Sequence, residues 1–462
     1  METRAIYSRT LIDVPAPARG SGPFGLFALL TGVLFVRPAE IFTFLDGAPI
    51  YELLIVAAIL VASSKLLQQL TPRSLTAVPI SACVVCMVLA VFMSHFSHLD
   101  FYKARTSATD FAKIAVYFLL LVTTVDTPAR LRTFSKLIVV FIAVSALLAL
   151  LQYHGFLHIQ SLEAIQENDY DSSNDAVDSF YRLCGAGIFH DPNDLSLILV
   201  VGISLALHFV TDRGEGMRRA FWIAAVVVFA YALVLTRSRG GFIAMMAALL
   251  ALACTQFGIW RTIALSVIAL PLLAVFAAGR QTNIDLEQGT GQDRILLWRE
   301  GLELMKSSPV FGIGMNQYAE AVRLVAHNSY IHSYTELGMF GGTLFTGAFY
   351  FALSGMCARE RSAAKRRRRS QPFVISQGTR PLGPYIIAAV LGYGVGLLSL
   401  TRVYTVPTYL VLGLAEVQLR TARDVSVSLA FTKRRLLAQL IGFSVLFLIA
   451  AHLFIQMAAH HS

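Results

Sequence analysis

Apolar runs close to the length of a bilayer crossing alternate along the chain with short polar stretches rich in Arg, Lys, Gly and Pro. A bilayer core takes about 20 apolar residues per helix. Runs of this kind fall near residues 24–36, 50–64, 76–96, 111–125, 134–153, 194–209, 220–236, 241–257, 262–278, 329–357, 384–400, 406–419 and 436–457. Backbone polar groups inside lipid have to be satisfied within the chain, so the pattern predicts an all-α polytopic membrane protein of 12 or 13 spans. The weakest span is 406–419, which is short and carries Pro407 and Glu416. Without it Arg420, Arg423, Lys433, Arg434 and Arg435 would face outward, and for that reason it is kept.

Composition sharpens this reading. Apolar residues make up 56% of the chain and charged ones 14%, far from the quarter-charged surface of a soluble domain. A soluble enzyme, a DNA-binding module and a secreted disulfide scaffold are all excluded. The formal charge of +10 does not point to nucleic acid, because its densest run, Lys365 to Arg369 beside Arg359 and Arg361, lies between two spans. That is the positive-inside signal. With the N-terminus in the cytoplasm, Lys and Arg favour the cytoplasmic segments by roughly two to one. Four of the five cysteines (Cys83, Cys86, Cys254, Cys357) lie in apolar runs, and the spacing of Cys83 and Cys86 has no second pair or His cluster to make a metal site.

The organisation expected is a cytoplasmic N-terminal segment over 1–23 without a cleavage site, then spans over 24–278 with an outer loop near 154–191. A large outer loop over 279–328 follows, and then four more spans over 329–462 with a basic cytoplasmic loop near 358–383. The first outer loop is acidic. In the second, Ile295, Leu296, Trp298, Leu302 and Met305 recur at helix spacing, which predicts a helix lying on the membrane surface. Long ordered loops usually carry function, so chemistry is expected on the outer face.

Three segments carry it. The connection Leu235-Thr236-Arg237-Ser238-Arg239-Gly240-Gly241 sets two guanidinium groups at the membrane boundary, with glycines that let backbone approach a ligand. A guanidinium is a planar fork matched to phosphate oxygens, and it stays charged at any pH. The outer loop holds Arg294 four residues before Trp298; alone, that pair reads as an interfacial helix anchored by its Trp. The loop ends at Ala326-His327-Asn328-Ser329, and Gly338 and Gly341 follow in the next helix. His327 precedes that helix, where an imidazole titrates near neutral pH. His332 and Glu336 share a helix face and read as a pair inside the bundle. His190 and Asn193 open the sixth span in His190-Asp191-Pro192-Asn193-Asp194, a helix-start pattern that also faces the outer side.

Together these segments resemble the bacterial O-antigen ligase and polymerase superfamily, which includes O-linked oligosaccharyltransferases. His327-Asn328 with Gly338 and Gly341 follows the ligase-type histidine pattern, and Thr236-Arg237-Ser238-Arg239-Gly240 and Arg294 with Trp298 match in order and placement. The resemblance implies a glycosyltransferase of the bacterial inner membrane that takes a glycan from an undecaprenyl diphosphate carrier on the periplasmic side. The acceptor it implies is a hydroxyl of lipid A core or of a growing polysaccharide. On this reading His327 is general base or acceptor-orienting group, Arg239 and Arg294 bind the diphosphate, and Arg237 is a weaker candidate. Asn328, His332, Glu336, His190 and Asn193 are supporting candidates. Neither metal, nucleotide nor other cofactor is implied, and the partners are the two glycan substrates and membrane lipids. Repeat-unit polymerisation is the close alternative. A lipid-linked oligosaccharide flippase is the competitor from another class, but it would place charge near the midplane of broken helices rather than at one face.

Overall fold

The computed structural model describes residues 22–45, 47–171, 176–264, 266–267, 290–369, 380–421 and 433–459. The expected N-terminal segment and most of the expected span at 262–278 lie outside the described residues. Ten of the described helices are long and apolar enough to cross a membrane, and the protein is a multi-pass membrane protein. Leaving aside short helical turns, the first eight helices are α1 (Gly22–Val36), α2 (Ile50–Gln69), α3 (Pro79–Phe96), α4 (Phe101–Thr124), α5 (Pro128–Tyr153), α6 (Pro192–Thr211), α7 (Arg219–Leu235) and α8 (Arg239–Phe257). After them come α9 (Thr290–Ser307), α10 (Ser329–Arg369), α11 (Gly383–Gly396), α12 (Val406–Thr421) and α13 (Lys433–Ala459).

Local chemistry sets the helix starts. Thr127 caps α5 by accepting from Arg130 N–H, with Pro128 at the first helical position. Asp191 does the same for α6 ahead of Pro192, and Ser238 caps α8. Helix α4 starts ten residues earlier than its apolar run, because Phe101–Asp110 mixes Lys103, Arg105 and Asp110 with apolar residues. Beyond the bilayer-length run, α10 continues through Ala363, Ala364, Lys365 and arginines, all strong helix formers.

Helix α12 explains why its sequence was hard to read. From Pro407 to Gln418 every side chain is buried, and it packs among α4, α10 and α11. Glu416 is fully buried and accepts from Ser81 Oγ at 2.7 Å, Ser81 N–H at 3.0 Å and Arg420 Nε at 2.7 Å. A helix surrounded by protein does not need a lipid-grade sequence. The loop near 154–191, expected on the outer side, holds an element that periodicity did not predict. There β1 (Ile165–Asp171) pairs antiparallel with β2 (Ala176–Arg182), Ile165 lying opposite Arg182.

Helix α10 is broken at Gly338, whose φ of 63° and ψ of −166° interrupt the helical backbone. The break is filled by the segment Pro309 to Gly314. Ile313 and Gly314 N–H donate to the carbonyls of Thr335 and Glu336 at 3.1 and 3.0 Å, while Met339 and Phe340 N–H donate to Pro309 and Val310 carbonyls at 2.8 and 3.1 Å. Four backbone groups freed by the break are thereby satisfied, as a buried backbone requires. Only glycine fits on either side. A Cβ on Gly338 would stand 2.4 Å from the Val310 carbonyl, and one on Gly312 would stand 2.3 Å from that of Glu336. The end of α3 and the turn after it support the clasp from outside: His98 Nε2 lies 2.9 Å from the Gly312 carbonyl oxygen and His95 Nε2 3.1 Å from that of Met315.

Candidate active site

The turn between α7 and α8 is tightly built. Arg237 has φ 48°, and its guanidinium carbon lies 4.7 Å from the centre of the Phe180 ring on β2. Ser238 Oγ accepts from Gly241 N–H at 3.1 Å and donates to Asn193 Oδ1 at 2.8 Å. Arg239 is half-buried in the first turn of α8. The two glycines have a packing role that the sequence reading did not give them. A Cβ on Gly240 would stand 2.1 Å from Ser399 Oγ, and one on Gly241 2.4 Å from Ser196 Oγ. They let the start of α8 press against α6 and the α11–α12 connection.

His327 stands in a second strained turn, at φ 47°. Its flanks are fixed. On one side the Ala326 carbonyl accepts from Trp298 Nε1 at 2.7 Å, so Trp298 ties α9 to the histidine's own backbone instead of serving only as a membrane anchor. On the other, Asn328 Oδ1 accepts from Tyr330 and Ile331 N–H at 3.0 and 3.2 Å, capping α10. Helix α9 lies on the bundle, with Ile295 and Leu302 packed against Ile331 and Ile455. Burial pushes the His327 imidazole below the ordinary histidine value of 6.5; Arg294 pushes it further down, Asp191 opposes, and Arg402 adds to the lowering. The neutral ring is therefore the form held at neutral pH.

His332 and Glu336 form the expected pair, 3.1 Å apart and both buried. Glu336 also accepts from Tyr318 N–H at 3.0 Å and from the Tyr404 hydroxyl at 2.9 Å. This carboxylate is a clamp that joins α10, the loop before it and the α11–α12 connection. Asn193 is likewise a bridge, its Oδ1 shared between Ser238 and Arg182 Nη2 at 2.9 Å. His190 is exposed at the turn before α6. Among the described residues no group of three or more His, Cys, Asp and Glu side chains converges as a metal set.

The sequence reading passed over Asp191 and Asp194 as helix-start residues and did not single out Arg182 or Arg402. Arg402 pairs with Asp191 at 2.9 Å and with Asp194; Arg182 binds Glu167 at 2.6 Å and the Thr236 carbonyl at 2.8 Å. A lone Arg at a membrane boundary reads as a snorkelling side chain, so only the fold reveals these two. Backbone strain did carry a signal. The non-glycine residues with positive φ among those described are Arg37, Leu99, Arg237, Asn316, Arg323 and His327, all at this end of the bundle. Such residues gather where a site over-determines its backbone.

The candidate residues Arg237, Arg239, Arg294, His327, Asn328, His332 and Glu336 thus lie along one contiguous stretch of chain. Residues 224–346 match the O-antigen ligase family. The O-antigen ligase match covers all seven of those residues and leaves out His190, Asp191, Asn193, Asp194 and Arg402. It supports glycan transfer of ligase or polymerase type in general. Comparison with curated proteins and with solved structures gives no match.

Proposed function

We propose that the chain is a metal-independent glycosyltransferase of the bacterial inner membrane, which moves a glycan from an undecaprenyl diphosphate carrier to an acceptor hydroxyl at the periplasmic face. The observation that carries this is the setting of His327. It is a half-buried imidazole, kept neutral by burial and Arg294, at the same end of the bundle as the strained Arg237–Arg239 turn. The acceptor oxygen attacks the anomeric carbon as His327 takes its proton. The bond to the diphosphate breaks, and its electron pair goes to the diphosphate oxygen. Arg239 and Arg294 stabilise the negative charge that grows there, with Arg237 in a lesser role. No nucleotide is needed, because the diphosphate is already an activated leaving group.

The ligase reading, with an acceptor such as lipid A core, is preferred over repeat-unit polymerisation because the His327-Asn328 spacing to Gly338 and Gly341 is of ligase type. A flippase reading draws on the broken helix α10. However, four backbone groups at that break are already taken by Pro309 to Gly314 and are not offered to cargo. His327→Ala abolishes transfer in a protein that still inserts, and His332→Ala retains more activity; normal transfer by a well-expressed His327→Ala protein sinks the assignment. Cysteine labelling should reach position 306 from the periplasm and position 361 from the cytoplasm. In a deletion strain, long chains on the lipid carrier with none on the acceptor mark a ligase, and single-repeat acceptors mark a polymerase.

A further inference from the structure

The base and the diphosphate-binding turn come from different parts of the chain, and one side chain links them. Arg402 lies in the connection between α11 and α12. Its Nη2 is 2.9 Å from Asp191 Oδ2, its Nε pairs with Asp194, its Nη1 donates to the Thr401 carbonyl at 2.7 Å, and its backbone N–H donates to Ser329 Oγ at 2.8 Å. Ser329 is two residues past His327, and its own N–H donates to the Leu397 carbonyl at 2.8 Å. From Asp191 the path continues: Oδ1 accepts from Asn193 Nδ2 at 2.9 Å, and Asn193 Oδ1 accepts from Ser238 Oγ at 2.8 Å, next to Arg239.

We propose that Arg402 is a positioning residue that fixes the spacing between His327 and the arginine turn of α8 through Asp191, Asn193 and Ser238. Binding the donor is a poor alternative role, because Nε, Nη1 and Nη2 are each engaged within the protein. The fork also suits the task, since Nε and Nη2 are held in one rigid plane and set the geometry of both carboxylate contacts, which a flexible ammonium does not fix. The charged groups acting on His327 are Arg294 from α9, Asp191 from the start of α6 and Arg402 itself. This inference rests on His327 as the base.

The test uses the purified full-length protein with a lipid-linked glycan donor, after His327→Ala has been shown inactive; an active His327→Ala protein removes the proposed function and not the role of Arg402 alone. Arg402→Gln should lower kcat by about 10²-fold, the scale of a misplaced reacting group. Its donor KM should stay within about threefold of wild type. Loss of a cation near His327 should also move the acid limb of the pH profile upward. Arg402→Lys keeps the charge and loses the fork, so kcat stays low while the limb stays near its wild-type position. An unchanged kcat, an unmoved limb in Arg402→Gln, or a donor KM that rises as steeply as in Arg294→Lys overturns the proposal. If Arg402→Gln does not fold, Asp191→Asn serves instead: kcat should fall and the limb should move downward, and a limb that stays in place overturns it equally.

Discussion

Both ends of the bundle carry ion pairs, but only the His327 end sets them among strained turns. At the end away from His327, cations of one element sit against carboxylates of another, Arg132 against Asp212 and Glu215 at 2.5 and 2.6 Å and Lys136 against Glu215 at 2.7 Å, and within α12 Arg420 pairs with Glu416 at 2.7 Å. The carboxylates there are nearly or fully buried, and the described backbone around them has no non-glycine residue at positive φ. At the His327 end the backbone is strained, and the histidine feels two cations, Arg294 and Arg402, against one carboxylate, Asp191. Closed ion pairs hold elements together. Strained turns are costly to keep, about 1–3 kcal/mol for each strained residue, and such cost is characteristic of a site that binds or reacts.

The sharpest way to break this contrast is to remove one group at each end. His327→Ala should lower transfer by about 10²- to 10⁴-fold, the range for a general base, with thermal unfolding in detergent near that of wild type. Arg132→Met should do the reverse. It leaves two buried carboxylates short of a partner, so it should cost on the order of 3 kcal/mol of stability, since the side chain is only a quarter exposed, while kcat stays within a few fold. A large catalytic loss in Arg132→Met with normal stability would erase the distinction.

Next in size, Arg239→Lys and Arg294→Lys should each lower kcat/KM by about 10- to 100-fold, because an ammonium keeps the charge and loses the two-point contact with phosphate oxygens. The pH dependence of wild-type kcat/KM is a finer test. A base works when neutral, so activity should rise with pH and level off, with its midpoint below the ordinary histidine value of 6.5. A midpoint at or above that value would show that the cations do not act on the ring as described. The smallest effect is expected beside the base itself. Asn328→Ala removes a helix cap and should cost about 1 kcal/mol of stability, with little change in the pH midpoint.

The helices were largely legible because each lipid-facing run carries its own hydrophobic signal. Departures came where that signal ends. Helix α12 faces protein on all sides, the first turns of α4 are amphipathic, and the β1–β2 pairing lacks a clear alternation. At the site, Arg237, Arg239, Arg294 and His327 were readable because each sits in a short motif at a membrane boundary. The clamp of Glu336 by Tyr404 and Tyr318, and the bridge from Arg402 to Asp191, join residues far apart in sequence. No local pattern announces such partners, and a lone Arg or Tyr at an interface has an ordinary explanation.

The clasp at Gly338 also bears on how the chain assembles. The stretch from Ser329 to Leu337 is far shorter than a bilayer crossing and contains His332 and Glu336, so it has little tendency to partition into lipid unaided. The apolar half that follows Gly338 can insert as a conventional span. The preceding turn is then drawn in once Pro309 to Gly314 zips onto it and Tyr318 and Tyr404 close over Glu336. On that order His327 should reach its place late in biogenesis, and cysteine labelling at position 327 during insertion, compared with position 345, checks it. Chains caught before that point would be threaded through the membrane and intact by length, yet inert.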